Sequence, residues 1–141
     1  MILIFTDGAS RGNPGPAACA FVIKNDDNTM LASSVCYLGI TTNNVAEYTA
    51  IIQALMWAIE NDAHVVQVFS DSELVIRQLT GVYRIYKPHL KSLFDEIMKL
   101  TSHFSSITFT HVPRTHPDIR YCDQMCNEEL DRHNRQEKQH S

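Results

Sequence analysis

No stretch of the sequence approaches the roughly 20 consecutive apolar residues that cross a bilayer. The opening MILIF is too short for a signal-peptide core and has no basic flank, so the chain reads as intracellular and cytoplasmic, with no membrane partner. Cysteine is sparse, four residues with no C-x2-C pair to make a zinc knuckle. Cys122 and Cys126 stand four apart in a predicted helix. Cys19 and Cys36 fall on two apolar segments able to pair as a hairpin. A cross-strand disulfide is conceivable there, but reduced core thiols are favoured. No lysine follows the N-terminal glycine-rich stretch, which removes a phosphate-cradling P-loop. No cluster of histidine and cysteine offers a soft-metal site. There is no internal repeat, linker or domain boundary. The expectation is a single domain over 1–136 with a frayed polar tail at 137–141.

Positive charge is also in deficit. Twelve Lys and Arg face sixteen Asp and Glu, a net charge of −4 with a pI near 5.9. That argues mildly against strong non-specific nucleic-acid binding. The balance is uneven, because no acid occurs from Leu74 to Phe94. Arg77, Arg84, Lys87 and Lys91 lie there with Tyr83, Tyr86 and His89 between them. A solvated surface accounts for such a tract. Basic residues interleaved with aromatics also suit a polyanion with stackable bases.

What is present is an ordinary soluble composition: 141 residues, 44% apolar and 20% charged, enough for one sizeable core. Met1–Thr6, Ala17–Lys24 and Met30–Leu38 read as strands, the last two joined by the turn NDDN. Asn43–Asn61 reads as a helix capped by Thr42 or Asn43. Its apolar stripe begins at Glu47 and runs through Ala50, Ile51, Ala54, Leu55 and Ala58, which turns Glu47 toward the sheet. His64–Phe69 is a fourth strand. Ser70 and Glu73 form a capping-box pattern for a helix ending at Gly81. Pro88 opens another helix, to about Phe104. Ser106–Val112 is a fifth strand, PRTHPDIR a loop, and Tyr121 to about Arg135 a last helix. The order β-β-β-α-β-α-α-β-α predicts an α/β fold, a mixed five-stranded sheet flanked by helices.

Four acids stand out. Each has an ordinary local explanation: Asp7 begins an Asp-Gly turn, while Glu47, Asp71 and Asp123 complement helix N-termini. Their joint placement goes further. Asp7 and Asp71 terminate apolar strands, and Glu47 and Asp123 lie in the opening turns of helices that should cover the sheet. On parallel neighbouring strands these ends coincide, where ligand sites of open α/β sheets form. Converging carboxylates repel unless a cation sits between them, and hard oxygen ligands select Mg²⁺ or Mn²⁺.

Four segments, TDGASRGNPGPA, TTNNVAEY, SDSELVIRQLTG and HVPRTHPDIRYCD, stand in the order and spacing of a known family. Over nearly its whole length the sequence resembles ribonuclease H of type 1. The resemblance implies the ribonuclease H-like fold and hydrolysis of the RNA strand of RNA–DNA hybrids, leaving 5′-phosphate and 3′-hydroxyl ends. It implies that Asp7, Glu47, Asp71 and Asp123 hold two Mg²⁺ ions, with Mn²⁺ a possible substitute. It makes His116 the mobile-loop histidine that helps proton and product leave. Arg11, Gly12 and Asn13 match the loop that meets the RNA minor groove, Asn43 and Asn44 the asparagines that touch the hybrid, and Thr42 a DNA-phosphate contact. Two metal ions suit the chemistry, since in-line attack on a phosphodiester needs both an activated nucleophile and a stabilised leaving oxygen.

The sequence departs from many relatives. LTGVYRIYKP stands where they carry a long basic, Trp-rich handle, and the one tryptophan, Trp57, lies elsewhere. Val45 and Ile119 occupy positions that are often basic and asparagine. These departures predict weaker substrate affinity with the chemistry kept, and leave the Arg77–Lys91 tract, Arg84 and Lys87 above all, as the compensating substrate surface. The start at Met1 fits a handle-less, free-standing monomer with no protein partner evident. Alternative readings are a relative that also cuts double-stranded RNA or junction ribonucleotides, a non-catalytic nucleic-acid-binding module on this fold, and a domain of a reverse transcriptase.

Overall fold

The structure, a computed structural model, describes residues 1–140; Ser141, the last residue of the expected tail, lies outside the described residues. Five strands and four helices alternate as the sequence pattern predicts: β1 (Ile2–Ser10), β2 (Gly15–Asn25), β3 (Met30–Thr41), α1 (Asn43–Glu60), β4 (Val65–Ser70), α2 (Glu73–Leu79), α3 (Pro88–Thr101), β5 (Ser106–His111) and α4 (Pro117–His140). The sheet runs β3-β2-β1-β4-β5. The hairpins β1–β2 and β2–β3 are antiparallel, while β1–β4 and β4–β5 are parallel. Parallel neighbours need crossover connections, and the helices supply them.

Strand alternation divides the core in two. Ile4, Ile23 and Val68 face α1, α2 and α3, where Tyr48, Ile51, Leu55, Leu79, Leu90 and Ile97 close the first cluster. Phe5, Val22 and Phe69 face the other way, onto Ile119, Cys122, Cys126 and Leu130 of α4. Each fully buried large aliphatic contributes roughly 1.5–3 kcal/mol. Cys19 and Cys36 are direct cross-strand partners, and all four cysteines are free thiols. Burial pushes the Cys122 and Cys126 thiols far up, which makes them inert core residues.

Three expectations need correction. β1 does not end at Asp7. It continues to Ser10, paired with β2 through Asp7↔Ala20 and Gly8↔Cys19, so Asp7-Gly8 is strand and not turn. The reason is asymmetric support: β4 stops at Ser70 beside Thr6, while β2 pairs with β1 to Ser10. Ser70 does not cap α2. It is fully buried at the end of β4, and Ser72 is the cap, its Oγ accepting from the Val75 N–H at 3.3 Å. α4 runs from Pro117 to His140, not from Tyr121 to about Arg135, with proline at the first position, where its missing N–H costs nothing.

Candidate active site

The site is built where the parallel pairing of β1 with β4 ends. Thr6 and Ser70 are register partners on these parallel strands, so Asp7 and Asp71 are the next residue on each. α1 then has to bring Glu47 over the same edge, and Gly8 makes that possible. A Cβ on Gly8 would lie 2.4 Å from both the Ala46 carbonyl carbon and the Glu47 nitrogen. Only glycine lets the helix backbone approach the strand this closely. The contact is also bonded, because the Gly8 N–H donates to Glu47 Oε1 at 2.8 Å. Ser70 Oγ donates to Glu47 Oε2 at 3.3 Å, so each carboxylate oxygen accepts from one of the two strands. At its start α1 is capped by Thr42, whose Oγ1 accepts from the Val45 N–H.

Carboxylate oxygens of Asp7, Glu47 and Asp71 lie within 4.8 Å of one another. Asp123, carried by α4, lines the same cavity of about 470 Å³. Asp7 is 5% exposed and Glu47 7%. Burial, then the charge of Asp71, raise the Asp7 carboxyl to about 7; a hydrogen bond with Glu47 opposes the rise, Asp123 adds to it, and the Gly8 N–H opposes it. Burial and the neighbouring charges of Asp7 and Asp71 push Glu47 well up. Burial also raises Asp71, against the opposing charge of Arg114. Buried carboxylates at this spacing are costly when ionised and unpaired. A hard divalent cation offsets both desolvation and repulsion, and an all-oxygen donor set suits it. The residues fit a metal ion.

The other expected residues separate. Asn43 and Asn44 line the acidic cavity. Asn43 also ties the β1–β2 loop to α1: its Oδ1 accepts from the Ser10 N–H at 2.8 Å, and its own N–H donates to Asn13 Oδ1 at 3.2 Å. Gly12, with φ +117°, turns the chain in this loop. Arg11 is drawn to α4, paired with Asp131 at 2.7 Å and donating to the Asn127 carbonyl at 3.2 Å. Arg84 and Lys87 line a second cavity of about 600 Å³ with Tyr83 and Tyr86. Asn44 borders both cavities. His116 is not among the residues that line the acidic cavity. Its ring stacks on Phe5 with centroids 5.0 Å apart, and its Nδ1 accepts from the Asp118 N–H at 3.2 Å.

Sequence reasoning missed Ser70, Ser72, Asn127 and Arg114. Ser72, Asn127 and Arg114 line the acidic cavity, and Ser70 holds Glu47. A serine beside a strand-terminal acid was the available signal for Ser70 and Ser72. Arg114 sits in the proline-bracketed loop, where only His116 matches a family residue.

The geometry has known counterparts. Residues 5–128 match the family described as reverse transcriptase-like. Ribonuclease HI of Halobacterium salinarum is 39% identical over 127 residues, covering 90% of this chain and 63% of that protein. The bifunctional protein Rv2228c of Mycobacterium tuberculosis is 38% identical over 131 residues, covering 92% of this chain and 35% of its own length. The chain thus spans about a third of the mycobacterial relative and under two thirds of the haloarchaeal one. Among solved structures, ribonuclease H1 of H. salinarum superposes with a TM-score of 0.88 at 38% identity, covering 92% of this chain and 97% of that one. LC11-RNase H1 in complex with an RNA/DNA hybrid gives 0.86 at 40% identity, covering 94% and 98%. With fold, acid constellation and sequence in agreement along nearly all of its length, this chain belongs to the type 1 ribonuclease H family.

Proposed function

We propose that the chain is a metal-dependent endonuclease that hydrolyses the RNA strand of RNA–DNA hybrids. The observation that carries this reading is the convergence of the Asp7, Glu47 and Asp71 carboxylates within 4.8 Å, in one cavity with Asp123. The hybrid bound to LC11-RNase H1, a relative of 40% identity, supports the substrate class. The four acids would hold two divalent ions, Mg²⁺ or Mn²⁺. Such ions, when bound, supply an activated water and neutralise charge on the phosphate.

The chain's own residues position the rest. Gly8 and Ser70 fix the Glu47 carboxylate, leaving it no freedom to swing out of the cluster. Asn43 uses its side-chain oxygen internally, so its amide N–H₂ remains to donate to a 2′-hydroxyl or a base edge. Gly12 and Asn13 bring backbone to the rim, where contacts carry no base identity. Thr42 accepts with its hydroxyl oxygen and keeps its proton for a phosphate. Across Asn44, the cavity of Arg84, Lys87, Tyr83 and Tyr86 offers charge and stacking faces to the uncut strand. Readout by sugar, phosphate and groove shape makes cleavage nearly independent of sequence.

The test is cleavage of an end-labelled hybrid beside double-stranded RNA and a duplex with one ribonucleotide. The expected result is Mg²⁺- or Mn²⁺-dependent cutting of the hybrid to 5′-phosphate and 3′-hydroxyl ends, abolished in Asp7→Asn. Cutting by Asp7→Asn in the presence of a chelator would sink the metal-dependent reading.

A further inference from the structure

We infer that Arg114, carried on the β5–α4 loop, contacts the scissile phosphate, and that His116 is the anchor of that loop. This rests on the hybrid-cleavage reading above. The loop is pinned at both ends. The Val112 N–H donates to the Ser70 carbonyl at 2.9 Å, which starts the loop beside Asp71. The His116 N–H donates to the Pro113 carbonyl at 3.0 Å, which closes a tight turn. Arg114 is at the exposed crest of that turn.

The two side chains have opposite commitments. His116 immediately precedes α4, and its Nδ1 satisfies the Asp118 N–H, the role of a helix N-cap. Its carbonyl accepts from the Arg120 N–H at 2.9 Å, and its ring rests on the buried Phe5. Reaching the cavity would break both the cap and the stack. Arg114 is the one basic side chain among the described residues that line the acidic cavity. Among the described residues it makes no hydrogen bond and no ion pair at contact distance, whereas Arg11, Arg77 and Arg132 are each paired with an acid. Its charge acts on Asp71, the strand-end acid next to the loop's origin.

An exposed guanidinium beside carboxylates that would bind metal has a specific use. Negative charge concentrates on the non-bridging phosphate oxygens as the phosphodiester is attacked. A planar fork of N–H donors fits two of them at once. Charge stabilisation of this kind grows toward the transition state and raises the rate more than the affinity.

Four full-length proteins decide it: wild type, Arg114→Ala, Arg114→Lys and His116→Asn, the last keeping a favoured cap residue without an imidazole. Each is assayed for hybrid cleavage, and for hybrid binding in chelator by fluorescence anisotropy across a salt series. Arg114→Ala is expected to lower kcat on the order of 10²-fold, the cost of one transition-state donor, with KM changed far less. Its salt slope of binding should fall by about 0.7–0.9, one phosphate contact. Arg114→Lys should restore the slope but only part of the rate, since an ammonium lacks the fork. A larger rate loss in His116→Asn than in Arg114→Ala overturns the proposal, as does an Arg114→Ala slope equal to wild type. Failure of wild type to cut any hybrid removes the hybrid-cleavage reading instead, and the salt slope then decides for or against Arg114 alone.

Discussion

Removing the central acid should make the metal-free protein more stable. In Asp7→Asn a neutral amide of nearly the same shape replaces a carboxyl that is 5% exposed and crowded by Glu47 and Asp71. Burial and the charges of Asp71 and Asp123 raise the Asp7 carboxyl from 3.8 to about 7. At about 1.36 kcal/mol per pH unit the gap corresponds to on the order of 4 kcal/mol. That is an upper bound, because the penalty is shared among interacting acids and the cluster relaxes when one charge goes. A gain of about 1–3 kcal/mol remains, which for a domain of this size raises Tm by about 3–10 °C. The sign depends on pH. Below about 3.8 the carboxyl is neutral in folded and unfolded chains, and the folded state bears no penalty. As pH rises through about 7 the unfolded carboxyl ionises first, and native stability falls. The advantage of Asp7→Asn is therefore full at pH 8 and vanishes near pH 4. Thermal unfolding by circular dichroism in chelator, for both proteins from pH 4 to pH 8, measures it. Adding Mg²⁺ or Mn²⁺ at pH 8 should reverse the order, because the ion stabilises only the protein that binds it. Equal or lower stability of Asp7→Asn at pH 8 in chelator would refute the argument from crowded carboxylates.

Two further substitutions test the frame and the rim. Gly8→Ala forces a Cβ to within 2.4 Å of the α1 backbone. It should destabilise by roughly 2 kcal/mol or more, as overpacking against backbone does, and lose cleavage by shifting Glu47; a wild-type Tm and rate would show that the close approach is not required. Arg84→Ala with Lys87→Ala should raise KM and flatten its dependence on salt by a slope of about 1.5–2, leaving kcat within a fewfold. Equal falls in kcat and kcat/KM would assign these residues to the transition state instead.

Much of this was legible in sequence, for identifiable reasons. The β-branched runs, the Thr42 cap and the proline at Pro88 mark elements through local energetics that hold before any tertiary contact forms. The buried phase of Glu47 was visible because helical period and an apolar stripe are one-dimensional signals. The end of β1 was not visible, because Asp-Gly is a turn pair by local preference and a strand pair here only through the ladder with β2. The α2 cap was misread because Ser70 and Ser72 are equivalent to a local pattern. Burial takes Ser70 for Glu47 and leaves Ser72 to the helix. Arg11 matches a loop expected to meet RNA, and only α4, more than a hundred residues away, supplies Asp131 as its partner.

The sequence by itself determined the order of elements and the mixed sheet and singled out the four acids, because spacing and periodicity encode strands and helix faces. Tertiary structure decided which groups meet. It set Asp7 beside Asp71 through parallel register, brought Glu47 down through the missing Cβ of Gly8, and turned His116 into a cap while leaving Arg114 at the cavity. Those outcomes depend on distances between residues far apart in the chain. Such distances are fixed only when the helices pack on the sheet, and a local pattern carries no information about them.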